Sequence, residues 1–309
     1  MHAIIGAGGT VSPDLTKVLM ANHVPVRQVA RTARNYEYGT ALSADLMNPA
    51  DALKAVDGCE VAYLTVGLPY KTTVWEAQWR ALMKNVVDAC IQTRTKLVFI
   101  DNIYMISDES IPHITETSPM EPSSKKGKIR ADVDHILLNA VNEGKLDGII
   151  ARSADFYGVM PPKKSLLLDL VIAKMVAGSS PQWFYTVDKK HSFTYMPDIA
   201  KALYLLATDA SAGNQVWNLP TAPAMTLAEI IALTNKILGS NKKPQVMGEF
   251  MMTLLRLAIP AVNEMKELKN QVIMDYWLDS SKFENHFNVK PASMEQGISD
   301  VVGKLRVGS

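Results

Sequence analysis

Residues 1–12, Met-His-Ala-Ile-Ile-Gly-Ala-Gly-Gly-Thr-Val-Ser, carry a short apolar run straight into a glycine cluster, and a helix-patterned stretch over 13–21 follows. Strand, glycine turn and helix in that order read as the opening of a dinucleotide-binding unit. Gly6 supplies the tight turn, and Gly8 and Gly9 let backbone amides approach a pyrophosphate. Thr10 and Val11 lead into a helix whose positive end faces the anion. The spacing departs from the three-glycine fingerprint. As G-x-G-x-x-G it ends at Val11, and as G-x-x-G-x-x-G at Ser12. The glycine that normally brings helix and strand close is missing in both registers, although a serine is small enough to fit. A glycine-rich turn also occurs in α/β domains that bind no nucleotide. The second apolar run at 26–30, which completes a βαβ unit, favours the dinucleotide.

Apolar runs recur at 3–5, 26–30, 61–66, 96–101 and 148–152, and helix-patterned stretches at 49–56, 73–93 and 128–143 stand between most of them. This alternation predicts an α/β fold, a Rossmann-type doubly wound parallel sheet. Ligands of such sheets bind at the carboxyl edge of the strands. After Arg152 the rhythm breaks into shorter pieces marked by proline. The expected division is therefore a nucleotide-binding domain over 1–154 and a smaller, mostly substrate-side region over 155–309. The two are expected to pack intimately, with some segments returning to the first. Helices are expected at 198–207, with Asp198 as N-cap, and at 226–238, capped by Thr226. The Met-rich run 247–257 reads as core filling, with an adaptable interface as the alternative.

The chain has 309 residues, 48% of them hydrophobic, with 32 basic and 31 acidic side chains. That composition gives a sizeable core and no whole-protein field to attract nucleic acid or an anionic membrane, so a small-molecule substrate is the expected partner. Cys59 and Cys90 form neither a disulfide framework nor a metal-ligand spacing. No metal site and a reducing, cytoplasmic setting are expected. The first residues enter a strand with no basic region or cleavable apolar stretch, so no secretory signal is expected.

These motifs resemble the short-chain dehydrogenase/reductase superfamily in its extended or atypical branch, related to NAD(P)-dependent sugar-nucleotide epimerases and dehydratases. The likeness spans nearly the whole chain. Gly6-Ala-Gly-Gly-Thr-Val-Ser matches the family's glycine turn, and Asp45-Leu46 its acidic-apolar pair at the adenine. Thr65-Val66-Gly67 is similar to the end of the fourth strand, which lines the cofactor. Arg152-Ser-Ala-Asp-Phe-Tyr-Gly158 resembles R-P-x-N-V-Y-G and places Asp155 and Phe156 at the cofactor. Phe193-Thr-Tyr-Met-Pro-Asp-Ile-Ala200 resembles F-x-H-V-x-D-V-A.

The resemblance implies a Ser/Thr that polarises a carbonyl, a Tyr that transfers the proton and a Lys four residues later. Here Asn102, Lys126 and Arg130 stand at those positions. Asn102 retains a donor amide. Arg130 retains fixed donors for a ribose hydroxyl or phosphate. Lys126 needs desolvation or a neighbouring charge to bring an ordinary lysine pKa of about 10.4 toward neutrality; otherwise it binds an anion. The competing reading makes 123–130 a solvated basic helix start. Tyr104, Tyr157 and Tyr195 are alternative proton donors, Tyr104 first because it shares a loop with Asn102.

No acid stands at the end of the second strand, where Arg31 and then Arg34 follow, so NADP(H) is favoured over NAD(H). The expected function is an NADP(H)-binding oxidoreductase or epimerase-like enzyme on a small carbonyl or sugar nucleotide. The alternative is a catalytically silent NADP(H) sensor. Relatives pack a dimer through the helix matching 73–93, so a homodimer is also open.

Overall fold

In the computed structural model, which describes residues 1–32 and 34–307, the strands are β1 (His2–Ile5), β2 (Val26–Ala30), β3 (Thr40–Ser43), β4 (Val61–Leu64), β5 (Lys96–Asp101), β6 (Gly148–Arg152), β7 (Asp155–Tyr157), β8 (Gln182–Phe184), β9 (Lys190–His191), β10 (Phe193–Tyr195), β11 (Val216–Asn218), β12 (Met225–Thr226) and β13 (Gln245–Met247). The longer early helices are α1 (Ser12–Ala21), α2 (Pro49–Val56), α3 (Thr72–Thr93) and α4 (Lys125–Asn142). The expected strands and helices of this half are all present, within three residues of the expected ends. The sequence pattern missed β3, whose residues are largely exposed and give no apolar signal.

The chain forms two compact units. The first comprises residues 1–105, 120–152 and 199–219, and the second 106–119, 153–198 and 220–309. A single cut at 154 differs from this because the 106–119 segment belongs with the second unit, while 199–219 returns to the first and adds β11 as an edge strand.

The first unit is built on an all-parallel sheet in the order β11-β6-β5-β4-β1-β2-β3. Ala3, Ile5, Ala62, Leu64, Leu97 and Phe99 face α2, α3 and α4. Alternation turns Ile4, Tyr63, Val98 and Ile149 to the other face, where they too are fully buried. Burial on both faces explains why these strands read as continuous apolar runs. Local chemistry sets the helix ends. Asn48 caps α2, with Pro49 at its first turn. Arg27, from β2, donates to the carbonyls of Lys54, Ala55 and Asp57 at the other end, at 3.1, 3.3 and 2.7 Å. Ser124 caps α4 by accepting the Gly127 N–H at 3.0 Å, so the helix starts three residues earlier than its apolar periodicity predicts.

The second unit buries Tyr157, Leu168, Trp183, Phe193, Ile230 and Ile298 in its own core. The next helices are a short α5 (Ala173–Val176), α6 (Met196–Thr208), α7 (Leu227–Leu238) and α8 (Glu249–Ala258). Thr226 and Glu229 form a reciprocal capping box at α7, as expected of Thr226. Two expectations are corrected. Asp198 does not cap α6, which begins at Met196; its carboxylate instead accepts the Ala292 N–H at 2.8 Å. The Met-rich run does not fill a core throughout. Met252 and Leu255 anchor α8, while Phe250 and Leu257 stand 78% and 83% exposed. Glu249, Thr253 and Arg256 share one face of α8 and Met251, Leu254 and Ala258 the opposite one, so periodicity points the latter face inward, yet Met251 and Leu254 are exposed. No described helix is long and apolar enough to cross a membrane.

Candidate active site

The chain turns back on itself between β1 and β4: β2 and β3 extend the sheet one way from β1, and β5, β6 and β11 extend it the other way from β4. In doubly wound sheets the crevice at such a reversal, outside the carboxyl ends of the strands, is where nucleotides bind. The glycine turn occupies that place. Gly6 has φ +108°, and a Cβ there would lie 2.9 Å from the Thr65 carbonyl carbon and the Val66 nitrogen, so only glycine lets the two strand ends close up. The Gly6 and Ala7 amides both donate to Val29 O at 2.9 Å, and the Gly9 amide to Gly6 O at 2.8 Å. Among the described residues, the N–H groups of Gly8, Thr10 and Val11 find no backbone acceptor. The first turn of α1 has no side-chain cap either. Outward-facing backbone donors at a helix N-terminus suit a phosphate. Ser12, at the missing glycine, is buried and donates to Gln28 Oε1 at 3.4 Å, so a serine does fit here.

Neighbouring loops complete this edge. Thr65 donates its hydroxyl to Ile5 O at 3.1 Å, Val66 packs on the core and Gly67 is exposed. Arg31 follows β2 directly and is exposed, as is Arg34. Ser43 donates to Arg31 O at 2.7 Å, which keeps the Arg31 turn beside the loop carrying Asp45 and Leu46. Asp45 Oδ1 accepts the Met47 N–H at 3.1 Å, and Leu46 is buried.

Beyond β5, Asn102 Oδ1 accepts the Tyr104 N–H at 2.8 Å, which fixes the carboxamide and leaves its Nδ2 donors unengaged among the described residues. Gly127 brings α4 against this loop, because a Cβ there would lie 2.4 Å from Tyr104 O. Lys126 Nζ sits 4.5 Å from the centroid of the Tyr70 ring, and the Tyr104 ring stacks on Trp75 at 6.1 Å and meets Tyr70 edge-on at 6.2 Å. Asn102, Tyr104 and Lys126 are thus brought together around an aromatic cluster.

The 123–130 run divides by face. Ser123, Lys125 and Lys128 are exposed, as a solvated helix start expects, whereas Lys126 is 1% and Arg130 2% exposed. Arg130 is not placed to hold a ribose. Its guanidinium is paired inside the core with Asp101 and lies 4.2 Å from the Trp79 ring and 5.0 Å from that of Phe99. Tyr157 is fully buried, and burial raises its hydroxyl pKa far above the ordinary value. Burial does the same to Tyr195, assisted by its hydrogen bond to Asp300. Both hydroxyls therefore release a proton reluctantly. Asp155 and Phe156 lie on β7 of the second unit, where Asp155 Oδ2 meets His191 Nε2 at 2.8 Å. Sequence reasoning passed over Asp101 and Asp134. The one available signal was the four-residue spacing of Arg130 and Asp134 on a helix.

Fold and edge chemistry define a Rossmann-type α/β protein. The chain belongs to the NAD dependent epimerase/dehydratase family, whose model matches residues 3–219. It is 25% identical over 207 residues to dTDP-glucose 4,6-dehydratase of Shigella flexneri, an overlap of 63% of this chain and 51% of that protein. The chain therefore spans about half the length of the curated relatives it matches. Among solved structures, UDP-N-acetylglucosamine 4-epimerase from Bacillus cereus superposes with a TM-score of 0.79 at 15% identity, covering 99% of this chain and 96% of the other. The dTDP-glucose 4,6-dehydratase of Bacillus anthracis, solved in complex with NAD, also gives 0.79, at 14% identity over 100% and 97% of the two chains. These superpositions establish the shared fold.

Proposed function

We propose that the protein is an NADP(H)-binding atypical short-chain dehydrogenase/reductase, an oxidoreductase or epimerase-like enzyme on a small carbonyl compound or sugar nucleotide. The observation that carries this reading is the set of uncommitted Gly8, Thr10 and Val11 amides at the strand reversal, over a turn that only glycine can make. These amides would hold the pyrophosphate, Asp45 and Leu46 would border the adenine, and Thr65, Val66 and Gly67 would line the crevice. Arg31 would take a 2′-phosphate, and the exposed Arg34 lies close enough in the chain to assist. Arg27 is tied to the end of α2 and does not compete for that role. A bound nicotinamide supplies hydride exchange.

The chain's own part in the chemistry is to orient and polarise. Asn102 Nδ2 would donate to a substrate carbonyl oxygen, because its Oδ1 is already occupied by Tyr104 N–H. Lys126 and Tyr104 would handle charge or a proton beside it. Fluorescence titration with NADPH and NADH, followed by a panel of aldehyde, ketone, quinone and sugar-nucleotide acceptors, tests the reading. Tighter binding of NADPH and acceptor-dependent oxidation are expected, and failure to bind either cofactor overturns it.

One observation favours a second reading, a sensor that keeps the cofactor crevice without turnover. Arg130, the counterpart of the family's lysine, is consumed by Asp101. Tight NADPH binding with no oxidation across the acceptor panel would put this reading first.

A further inference from the structure

Four charged side chains are buried together in the first unit. Asp101 and Arg152 are register partners at the ends of β5 and β6, and Arg130 and Asp134 stand one turn apart on α4. Two ion pairs cross-link strand to helix, Arg130 with Asp101 and Arg152 Nη2 with Asp134 Oδ2 at 3.1 Å. Each carboxylate uses one oxygen in these contacts. Asp101 Oδ1 takes Arg130 and also the Asn102 N–H at 2.6 Å. The other oxygens, Asp101 Oδ2 and Asp134 Oδ1, are buried and meet no donor among the described residues. Buried acceptors are rarely left in that state.

We propose that Asp101 and Asp134 share one proton in a hydrogen bond between these two oxygens, and that the pair is the positioning device that holds Asn102. Arg130 Nε is likewise buried and meets no acceptor among the described residues, so the guanidinium does not turn that donor to either orphaned oxygen; a single shared proton satisfies both oxygens. Asp101 lies beside Arg152 in strand register, Arg152 reaches Asp134, and Arg130, one turn before Asp134 on the same helix, reaches Asp101, so the two carboxyls end in one buried cluster. Burial is the largest influence on Asp101 and raises its pKa well above the carboxylate range; Arg130 opposes this, and the Asp134 charge and hydrogen bond reinforce it. The other charged groups facing the pair are Arg130 from α4 and Arg152 from β6. From α3, the Trp75 and Trp79 rings lie over Arg130.

The sign of the pH dependence follows. Carboxyls of the unfolded chain ionise near pH 4, whereas burial makes Asp101 keep its proton to higher pH in the folded chain. Its stabilisation is complete below that unfolded value and is lost as pH rises through the folded one. The consequence for Asn102 rests on the function proposed above. Asp101 Oδ1 holds the Asn102 N–H, so ionising the pair moves the loop that presents the Asn102 carboxamide.

Infrared spectroscopy of the full chain at neutral pH tests the shared proton. We expect a carboxylic C=O band that shifts on 13C-aspartate labelling and vanishes in Asp101→Asn and in Asp134→Asn. In protein labelled with 15N-asparagine, the Asn102 amide resonance, identified by its absence in Asn102→Ser, is expected to titrate with the midpoint of the band. No carboxylic band at neutral pH, the result if a water bridges two ionised carboxylates, overturns the proposal, as does a band that survives both substitutions or one that 13C-aspartate leaves unmoved. If neither variant folds, the wild-type band and its isotope shift still decide. An Asn102 resonance that does not follow the band removes the positioning role. NADPH titration of the same wild-type sample separates the two ideas: absent binding sinks the proposed function and leaves the band standing.

Discussion

The loops after β1 and β4 and the loops after β5 and β6 lie on one edge of one sheet, yet they treat their polar groups in opposite ways. At the first pair, Gly6–Gly9 strips away side chains and leaves backbone donors with nothing internal to bind. At the second, Asp101, Arg130, Asp134 and Arg152 are buried and spend their charges on one another. An edge built the first way gains its hydrogen bonds from a ligand. One built the second way pairs its charges internally, needs only the shared proton proposed above for its remaining carboxylate oxygens, and holds its loops in place. The difference shows what became of the family's Lys position. Arg130, at the position where the resemblance expects that lysine, is not turned to solvent but is buried in the core against Asp101.

The strongest way to break this comparison is to remove the internal cation. Arg130→Met leaves Asp101 buried without its partner and is expected to cost about 3–5 kcal/mol in denaturant unfolding, the usual penalty for halving a buried pair. A loss below about 1 kcal/mol would mean the network is not the rigid half of the edge. Next in size is Asn102→Ala. If its amide polarises a carbonyl, turnover with an accepted substrate falls by roughly 10²–10³-fold, about 3–4 kcal/mol, while NADPH affinity holds. A parallel fall in cofactor affinity would instead place Asn102 in binding. Third is Gly6→Ala, which forces a side chain into φ +108° against Thr65 and Val66. Strain of about 1–3 kcal/mol is expected, with lowered Tm and weakened NADPH binding together; unchanged binding would show that the turn does not serve the phosphates.

What was legible in the sequence follows the same divide. The glycine turn, the strand ends at Thr65 and Asp101 and the helix α2 are local features, set by apolar runs, Pro49 and a capping Asn48, and each was readable from neighbouring residues. The network was not, because it joins Asp101 to Arg130 and Arg152 to Asp134 across 29 and 18 residues. In the basic run 124–130, Lys125 and Lys128 are solvated as the pattern suggests, but Arg130 lies against the rings of Trp75, Trp79 and Phe99. Likewise α8 has a polar face of Glu249, Thr253 and Arg256, and its periodicity alone would turn Met251 and Leu254 inward, where the structure leaves them exposed. Asn102 was found by alignment with a motif, but the reason its donors are available, the bond from Tyr104 N–H to its Oδ1, is visible only in three dimensions.

The smallest expected effect sharpens the ligand-facing half. Arg31 is exposed at the end of β2, with no acid beside it in the chain to claim a ribose hydroxyl. Its backbone carbonyl is held by Ser43, so the turn is fixed while the guanidinium is not. Arg31→Ala should weaken NADPH about tenfold, about 1.4 kcal/mol, because an exposed charge-assisted contact to a phosphate sits at the low end of its range. NADH, which lacks the 2′-phosphate, should be unaffected. The difference should shrink as salt is raised, since solvent-exposed charges are screened over about 8–10 Å at ordinary ionic strength. Equal losses for both cofactors would move Arg31 to a contact they share, such as the adenine or the pyrophosphate. No loss for either would leave Arg31 facing water, and cofactor choice would then have to come from Arg34 or from the loop carrying Asp45, which the Ser43–Arg31 bond keeps alongside.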